Sequence, residues 1–257
     1  MKSHVSCNSD FLQAHGLGSS NNFYTPIIPT LTKAGYTCIA YDLTGSALST
    51  YTYIPQTVQS LAADAIDLMD ALSIQTATFL GHSMSGMTGP ALAATYPDRI
   101  HALVLIGPVY PTEAMAPTFE DRIAKVTAHG MEVMADTVPF TALGSKAQDV
   151  HRAFVRELLL GMQPAAYCSL ARVIAEAWKE PPKYGNVKCP VVILAGTEDK
   201  STPMEGCKKV LEELGSKQKE IKAMEGIGHW HCIEDGAEVA KLTKDFLSSV
   251  QSELVSR

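Results

Sequence analysis

Long apolar runs and leader patterns are missing from this sequence. The longest apolar run, residues 102–109, is far shorter than the roughly 20 residues that a membrane-spanning helix needs. The first thirty residues do not show the charged and then apolar pattern of a secretory signal. The sequence therefore predicts no membrane association and a cytoplasmic location.

Basic clusters and closely spaced cysteine pairs are missing as well. The 21 Lys and Arg residues are outnumbered by 27 Asp and Glu, which gives a formal net charge of −6. Without a run of Lys or Arg, this balance argues against a nucleic-acid partner. The six cysteines are scattered and form no C-x-x-C pair, so we expect reduced thiols rather than a disulfide framework.

The composition is that of an ordinary folded domain. The chain has 257 residues, 46% of them hydrophobic and 19% charged, which is enough for one large core. Short apolar runs typical of strands alternate with helix patterns. These include residues 22–34, where Pro26 and Pro29 disturb the first turns, and a last helix from about residue 237 to 249; the clearest pattern covers residues 57–72. This alternation predicts an α/β fold with a mostly parallel central sheet and helices on both faces.

The most informative stretch is Leu80-Gly81-His82-Ser83-Met84-Ser85-Gly86, between a predicted strand and a predicted helix. A serine among small residues at such a turn is typical of a nucleophile elbow, which exposes the hydroxyl above the sheet. The first amides of the following helix point to the same place and can stabilise an anion. We therefore predict acyl transfer with Ser83 as the nucleophile.

This stretch resembles the elbow of the α/β-hydrolase superfamily, in its small capped branch of esterases, lactonases such as 3-oxoadipate enol-lactonase, and carbon–carbon hydrolases. The superfamily usually has glycine two residues after the nucleophile, where this chain has Ser85. Serine is small enough for the close approach of strand and helix at this turn. The resemblance covers about residue 11 to the C-terminus and implies the α/β-hydrolase fold.

A serine nucleophile needs a base and a carboxylate that orients the base. Asp199 follows the strand pattern 191–195 and resembles the superfamily's acid, with Glu198 as the alternative. His229 lies in a Gly-Ile-Gly-His-Trp segment that resembles the histidine loop. The chain order Ser83, Asp199, His229 is that of α/β hydrolases.

His229, His231 and Cys232 are also metal-ligand types at a suitable spacing. No second cluster of ligand residues lies nearby in the sequence to complete a tetrahedral site. We therefore predict no metal, and the resemblance implies that no cofactor is required.

An oxyanion hole needs two N–H donors. The amide of Met84, directly after the nucleophile, is one candidate. The segment His15-Gly16-Leu17-Gly18 resembles the superfamily's His-Gly motif, which implies the Leu17 amide as the second donor. We expect His15 to order this loop rather than to contact substrate.

Between residues 111 and 184, helix patterns follow one another without a strand pattern, and in the resembled superfamily a helical lid lies here. The predicted organisation is a first core part, residues 1–110, the lid, residues 111–184, and a second core part, residues 185–257. Candidate substrate contacts are Tyr167, Trp178, His82 and Trp230.

Only fourteen residues precede His15, fewer than the superfamily usually has before this motif. The opening edge strands of the sheet are therefore predicted to be missing, which would leave one sheet edge uncovered.

The predicted function is hydrolysis of a small carboxylic ester or lactone through an acyl-enzyme on Ser83, by a monomer or homodimer. Two alternatives stay open at this point. The chain could cleave a carbon–carbon bond in a diketone-like substrate, or it could be a low-turnover receptor or inactive relative.

Overall fold

The computed structural model describes residues 10–255, with side chains for residues 10–250. Its centre is a six-stranded sheet in the order β2-β1-β3-β4-β5-β6, and every neighbouring pair of strands is parallel. The strands are β1 (Asp10–Ala14), β2 (Thr37–Tyr41), β3 (Ala77–His82), β4 (Ile100–Ile106), β5 (Val191–Gly196) and β6 (Lys219–Met224).

The central strands β3, β4 and β5 are almost entirely buried because their apolar side chains are covered on both faces. Helices α1 (Ile28–Lys33), α2 (Val58–Ala71), α3 (Ser85–Thr95), α9 (Met204–Glu213) and α10 (His231–Val255) accompany this sheet. The predicted α/β-hydrolase architecture is thus confirmed, with a sheet that is wholly parallel over the described residues.

The carboxyl ends of the strands define where a site can form. In a parallel sheet, all carboxyl ends meet at one edge, and ligands bind there. Ser83 follows β3 directly, Asp199 lies three residues beyond β5, and His229 lies five residues beyond β6. Three loops that are far apart in sequence therefore converge at this edge.

Helices fill the connection between β4 and β5. A 3₁₀ turn at Glu113–Met115 leads into α4 (Ala116–His129), α5 (Glu132–Ala135), α6 (Val138–Thr141), α7 (Asp149–Leu160) and α8 (Pro164–Glu176). Two further 3₁₀ turns, Ala177–Lys179 and Tyr184–Asn186, precede β5. The sequence predicted helices but not the short α5 and α6, which are only four residues each.

Two predicted helices differ from the structure. The pattern over residues 22–34 predicted a helix with its first turns disturbed by Pro26 and Pro29. In the structure a 3₁₀ turn at Asn21–Tyr24 is followed by the short α1, which has Pro29 in its first turn. The last helix was predicted from residue 237. Helical structure begins at His231, and the backbone of Asp235 is non-helical (φ −150°, ψ 68°), so α10 is kinked there.

The predicted loss of opening strands concerns residues that lie partly outside the described range. Within residues 10–255, β2 forms one sheet edge and pairs only with β1.

No single helix in the described residues has the length and apolar character to cross a membrane. Only the pair Asp149–Leu160 and Pro164–Lys179, taken together across a 101° bend, passes a test of length and composition.

Candidate active site

Ser83 lies in a strained turn between β3 and α3. Its φ is +55°, in the left-handed region that non-glycine residues rarely adopt. The turn is held because the Ser83 amide donates to the carbonyl of Ile106 (2.9 Å) and its carbonyl accepts from Gly86 and Val109. At Gly81, any Cβ would collide with the carbonyl oxygen of Ser85, which explains the glycine before the nucleophile.

Ser85, the departure from the usual glycine, makes a specific bond. Its buried hydroxyl donates to the carbonyl oxygen of His15 at 2.6 Å. The elbow is thereby tied to the early glycine-rich loop. The next residue, Gly86, lies so close to Pro108 that a Cβ would come within 2.6 Å of it.

A continuous hydrogen-bonded chain begins at the Ser83 hydroxyl. Ser83 Oγ lies 2.9 Å from His229 Nε2, and His229 Nδ1 lies 2.8 Å from Asp199 Oδ2. A carboxylate only accepts hydrogen bonds, so the proton between His229 and Asp199 belongs to Nδ1. His229 Nε2 is then free to accept the Ser83 proton. All three residues are buried.

Asp199 and Glu198 have different partners. Glu198 accepts hydrogen bonds from the amide and hydroxyl of Ser145, both at 2.7 Å, at the surface. Asp199 Oδ1 accepts from the amides of Ser201 (2.8 Å) and Thr202 (2.9 Å), and Oδ2 also accepts from the Thr202 hydroxyl (2.7 Å). The structure therefore joins Asp199, not Glu198, to His229.

Burial by itself would raise the pKa of Asp199. The neighbouring His229 and the hydrogen bonds from His229 and Thr202 more than offset this, and the pKa lies well below its usual range. Asp199 is thus a carboxylate at neutral pH and can stabilise a positive charge on His229.

The early loop is ordered by His15. Its Nε2 accepts from the Leu43 amide (3.1 Å), so its Nδ1 donates to the Gly16 carbonyl (2.8 Å). Burial lowers the pKa of His15 to about 4, which keeps the ring neutral. Gly16 packs on the nucleophile so closely that a Cβ would come within 2.7 Å of the Ser83 Cβ.

The amides of Leu17 and Met84 lie next to this contact. In the described part of the chain, neither amide donates to a protein acceptor. Two backbone donors beside the nucleophile are what an oxyanion hole requires.

His231 has a structural environment rather than that of a metal ligand. Its Nε2 accepts from the Gly196 amide (3.0 Å), and its Nδ1 donates to the His229 carbonyl (2.9 Å). Both ring nitrogens are therefore occupied. No group of three or more His, Cys, Asp or Glu side chains among the described residues is arranged to hold a metal ion.

A cavity of about 490 Å³ lies above Ser83, between the sheet edge and the helices that follow β4. Tyr167 and Trp230, two of the predicted substrate contacts, line it. The remaining lining residues are Leu17, Ser83, Val109, Ala114, Met115, Thr118, Phe119, Arg122, Val138, Thr141, Ala142, Leu159, Ile174, Lys200, Ser201, Thr202 and His229.

The other two predicted substrate contacts do not line this cavity. The His82 ring is buried, stacks on Phe23 at 4.0 Å and donates from Nε2 to the His229 carbonyl (2.8 Å). Through this hydrogen bond, His82 stabilises the loop that carries His229. Trp178 lies in the 3₁₀ turn Ala177–Lys179 that follows α8 and is not part of the cavity lining.

A comparison with known protein families decides the assignment. The model described as "Serine aminopeptidase, S33" matches residues 10–235. The chain belongs to this family of α/β hydrolases. Among curated relatives of this chain, the protein of Variovorax paradoxus named "Putative carbamate hydrolase RutD" is 26% identical and is aligned over 94% of this chain and 92% of its own.

Two further relatives carry different names. The 2-hydroxy-6-oxo-6-phenylhexa-2,4-dienoate hydrolase of Comamonas testosteroni is 25% identical over 90% of this chain and 84% of its own. The crystal structure of an enol-lactonase from Burkholderia xenovorans superposes with a TM-score of 0.84 at 23% identity, over 93% of this chain and 91% of that chain. The structural likeness establishes the shared fold.

The sequence did not predict two groups that bear on the candidate site. One is Arg122 on α4, which lines the cavity. The only signal was its three-residue spacing from Phe119, which places both side chains on one helix face. The other is Glu234, whose buried carboxylate shows no distinctive motif in the sequence.

Glu234 joins the histidine loop to the segment after α6. Its Oε2 accepts from the amides of Gly144 (2.7 Å) and Gly228 (3.0 Å), and its Oε1 accepts from the Trp230 amide (2.9 Å). The His229 amide also donates to the Ala142 carbonyl (2.7 Å). The backbone that carries His229 is thus fixed from two sides.

Proposed function

We propose that this chain is a serine hydrolase that cleaves a carboxylic ester or lactone of a small molecule through an acyl-enzyme on Ser83. The observation that carries the proposal is the unbroken hydrogen-bonded chain from Ser83 through His229 to Asp199 at the base of a cavity. Membership of the S33 family and the fold shared with an enol-lactonase support it.

In this mechanism His229 Nε2 takes the Ser83 proton as the hydroxyl oxygen attacks the substrate carbonyl carbon. Asp199 holds the imidazole in the required tautomer and stabilises its positive charge. The negative charge that develops on the carbonyl oxygen is bound by the Leu17 and Met84 amides. His229 then gives its proton to the departing alcohol oxygen, which leaves the acyl group on Ser83.

Water completes the cycle. His229 removes a proton from a water molecule, the water oxygen attacks the acyl carbon, and Ser83 leaves with the returned proton. The reaction needs no cofactor, since each proton transfer uses His229. The proposed partner is a small-molecule ester or lactone, with the protein acting as a monomer or homodimer.

A carbon–carbon hydrolase is the second candidate, because a relative with that kind of name is about as similar as the carbamate hydrolase. In that reaction the leaving group is a carbon atom that must be protonated. The same His229 could supply the proton, so substrate assays have to separate the two functions. A receptor or inactive relative would show stoichiometric reaction without turnover.

Turnover tests the proposal directly. We would measure hydrolysis of short-chain nitrophenyl esters, lactones, a carbamate and β-diketones by the wild type and by Ser83→Ala. Ser201→Ala is the matched control, because Ser201 is the other serine that lines the cavity. We expect ester or lactone turnover that falls at least 10⁴-fold in Ser83→Ala, a loss typical of nucleophile removal, and changes little in Ser201→Ala.

A folded wild type that turns over only diketones would replace the proposal by carbon–carbon hydrolysis. Ester turnover that survives in Ser83→Ala would refute the assigned nucleophile.

A further inference from the structure

Lys and Arg side chains, but no Asp or Glu side chains of the described residues, line the cavity above Ser83. The two cationic side chains are Arg122 and Lys200. This is unexpected in a chain whose formal net charge is −6. A cavity of this composition favours a ligand that carries negative charge.

Arg122 has no acidic partner. No carboxylate in the described part of the chain lies within ion-pairing distance of its guanidinium. On α4, the residues three and four positions away are Thr118, Phe119, Lys125 and Val126, none of which is acidic. By contrast, the neighbouring cation Lys125 pairs with Asp121 at 2.7 Å on the outside of the helix.

The guanidinium is held in place without being neutralised. Its central carbon lies 5.0 Å from the centre of the Phe119 ring, a distance at which cation and ring attract each other. Burial raises the pKa of the Tyr167 hydroxyl, and the neighbouring positive charge of Arg122 opposes that rise. Phe119, Arg122 and Tyr167 all line the cavity, so the cation is fixed at its wall.

Arginine presents several N–H donors in one plane, an arrangement that matches the two oxygens of a carboxylate. Lys200 is exposed and also lines the cavity, next to Asp199 in sequence. It adds positive charge but not the planar pair of donors. Arg122 is therefore the stronger candidate for direct contact with an anion.

We propose that Arg122 binds a carboxylate on the substrate, so that the preferred substrates are esters or lactones that carry a free carboxylate. This inference rests on the proposed hydrolase function. Binding of the carboxylate by the helices between β4 and β5 would place the carbonyl group of the same molecule at Ser83.

The test uses two substrates that differ only in charge. One is the 4-nitrophenyl half-ester of adipic acid, and the other is its terminal amide, 4-nitrophenyl 5-carbamoylpentanoate. We would measure kcat/KM for both, after subtraction of spontaneous hydrolysis. The wild type is expected to prefer the acid by about tenfold to hundredfold, the range for a charge-assisted bidentate contact.

Three variants test whether Arg122 causes the preference for the acid substrate. Arg122→Met should lose it, mainly through a higher KM for the acid, and its kcat/KM for the amide should fall much less than its kcat/KM for the acid. Lys125→Met is the matched control, since it removes the same charge from the outer side of α4, and it should keep the preference. Arg122→Lys retains the charge and should keep only part of the preference.

The outcomes separate this inference from the proposed function. Failure to hydrolyse either substrate would count against the hydrolase itself. Equal turnover of acid and amide by the wild type would overturn the role of Arg122 alone. If Lys125→Met loses the preference to the same extent as Arg122→Met, the preference comes from the overall positive potential of the helix and not from a binding contact with Arg122.

Inhibition of the wild type gives a second readout that does not depend on variant folding. Hexanoate should compete with the amide substrate at least tenfold more strongly than hexanamide. Equal inhibition by the two compounds would contradict a carboxylate site.

Discussion

At the scale of single residues, the adjacent carboxylates Glu198 and Asp199 have different partners and different expected roles. Asp199 accepts a hydrogen bond from His229, whereas Glu198 bonds to Ser145 at the surface. Asp199→Asn removes the charge that stabilises the imidazolium and favours the wrong tautomer, so we expect kcat/KM to fall by about 10³- to 10⁴-fold. Glu198→Gln should change it by less than about threefold. Steady-state ester hydrolysis measures both, and similar losses would contradict the assignment.

Ser85 gives a second prediction at this scale. Ser85→Ala removes the hydroxyl that donates to the His15 carbonyl and leaves that buried oxygen without this bond. The free energy of unfolding is expected to fall by about 1–3 kcal/mol. Since Leu17 lies two residues from His15, kcat should fall more than KM changes. Urea unfolding and ester kinetics test this, and an unchanged stability would show that the bond contributes nothing.

The residues of the hydrogen-bonded chain could be predicted because each lies in a short glycine-containing motif just after a strand. The substrate contacts could not be predicted in this way, because a contact from the helices depends on which helix face meets the cavity. His82, at the end of β3, and Trp178, in the 3₁₀ turn after α8, do not belong to the cavity lining, and their contact with substrate stays a prediction; Arg122 was not recognised. Tyr167 and Trp230 do line the cavity, and their contact with substrate stays a prediction.

At the scale of elements, the segment after α6 holds the histidine loop. Besides the bonds of Glu234, the Lys146 amide donates to the Gly226 carbonyl (3.2 Å). At Gly144, any Cβ would collide with the Gly226 carbonyl, so the two backbones are in direct contact. The helices over the cavity are therefore coupled to the loop that carries His229.

Glu234→Gln tests this coupling. One acceptor oxygen becomes an NH₂ group that faces backbone N–H donors, so at least one of the three bonds must break. We expect kcat to fall about tenfold or more, with a smaller change in KM, because His229 is less well positioned. The control is Glu238→Gln, whose carboxylate pairs with Lys241 on the surface of the same helix. Equal kinetics in the two variants would contradict a positioning role.

The longer elements could be predicted from periodicity, as α2 shows. Its predicted range, 57–72, differs by one residue at each end from the observed Val58–Ala71, with Thr57 as the N-terminal cap. The four-residue helices α5 and α6 could not be predicted, because one turn is too short to establish a helical period. The start of α10 was missed because the bend at Asp235 interrupts the periodicity.

At the scale of the whole molecule, three buried histidines make stability depend on pH. Burial lowers the pKa of His15 and of His231 to about 4 and that of His82 well below its usual value. Between pH 6.5 and 4 the unfolded chain binds protons that the folded protein does not bind. Stability therefore falls as the pH falls through this window. Glu234, with a pKa raised by burial, acts in the opposite direction but is one group against three.

We expect urea unfolding at pH 7, 6 and 5 to show a progressive loss of stability, of up to about 3 kcal/mol for each of His15 and His231 by pH 4. His231→Gln should reduce the slope by up to about 1.4 kcal/mol per pH unit, because one fewer proton is taken up on unfolding. A stability that is constant or rises on acidification from pH 7 to 5 would contradict this account.

The order of secondary structure along the chain predicted the parallel sheet, because right-handed strand–helix–strand units leave few other arrangements. It also implied that Ser83, Asp199 and His229 would lie at one sheet edge. The interatomic distances and the shape of the cavity depend on packing between residues far apart in sequence. No periodic pattern encodes them.

The most direct test of the central claim is reaction with a fluorophosphonate, read by intact mass and then by peptide mass. Such a probe modifies a serine only when a neighbouring base activates it. The account predicts one adduct per chain, located on Ser83 and absent from Ser83→Ala. A folded wild type with no adduct, or with an adduct on another serine, would contradict it.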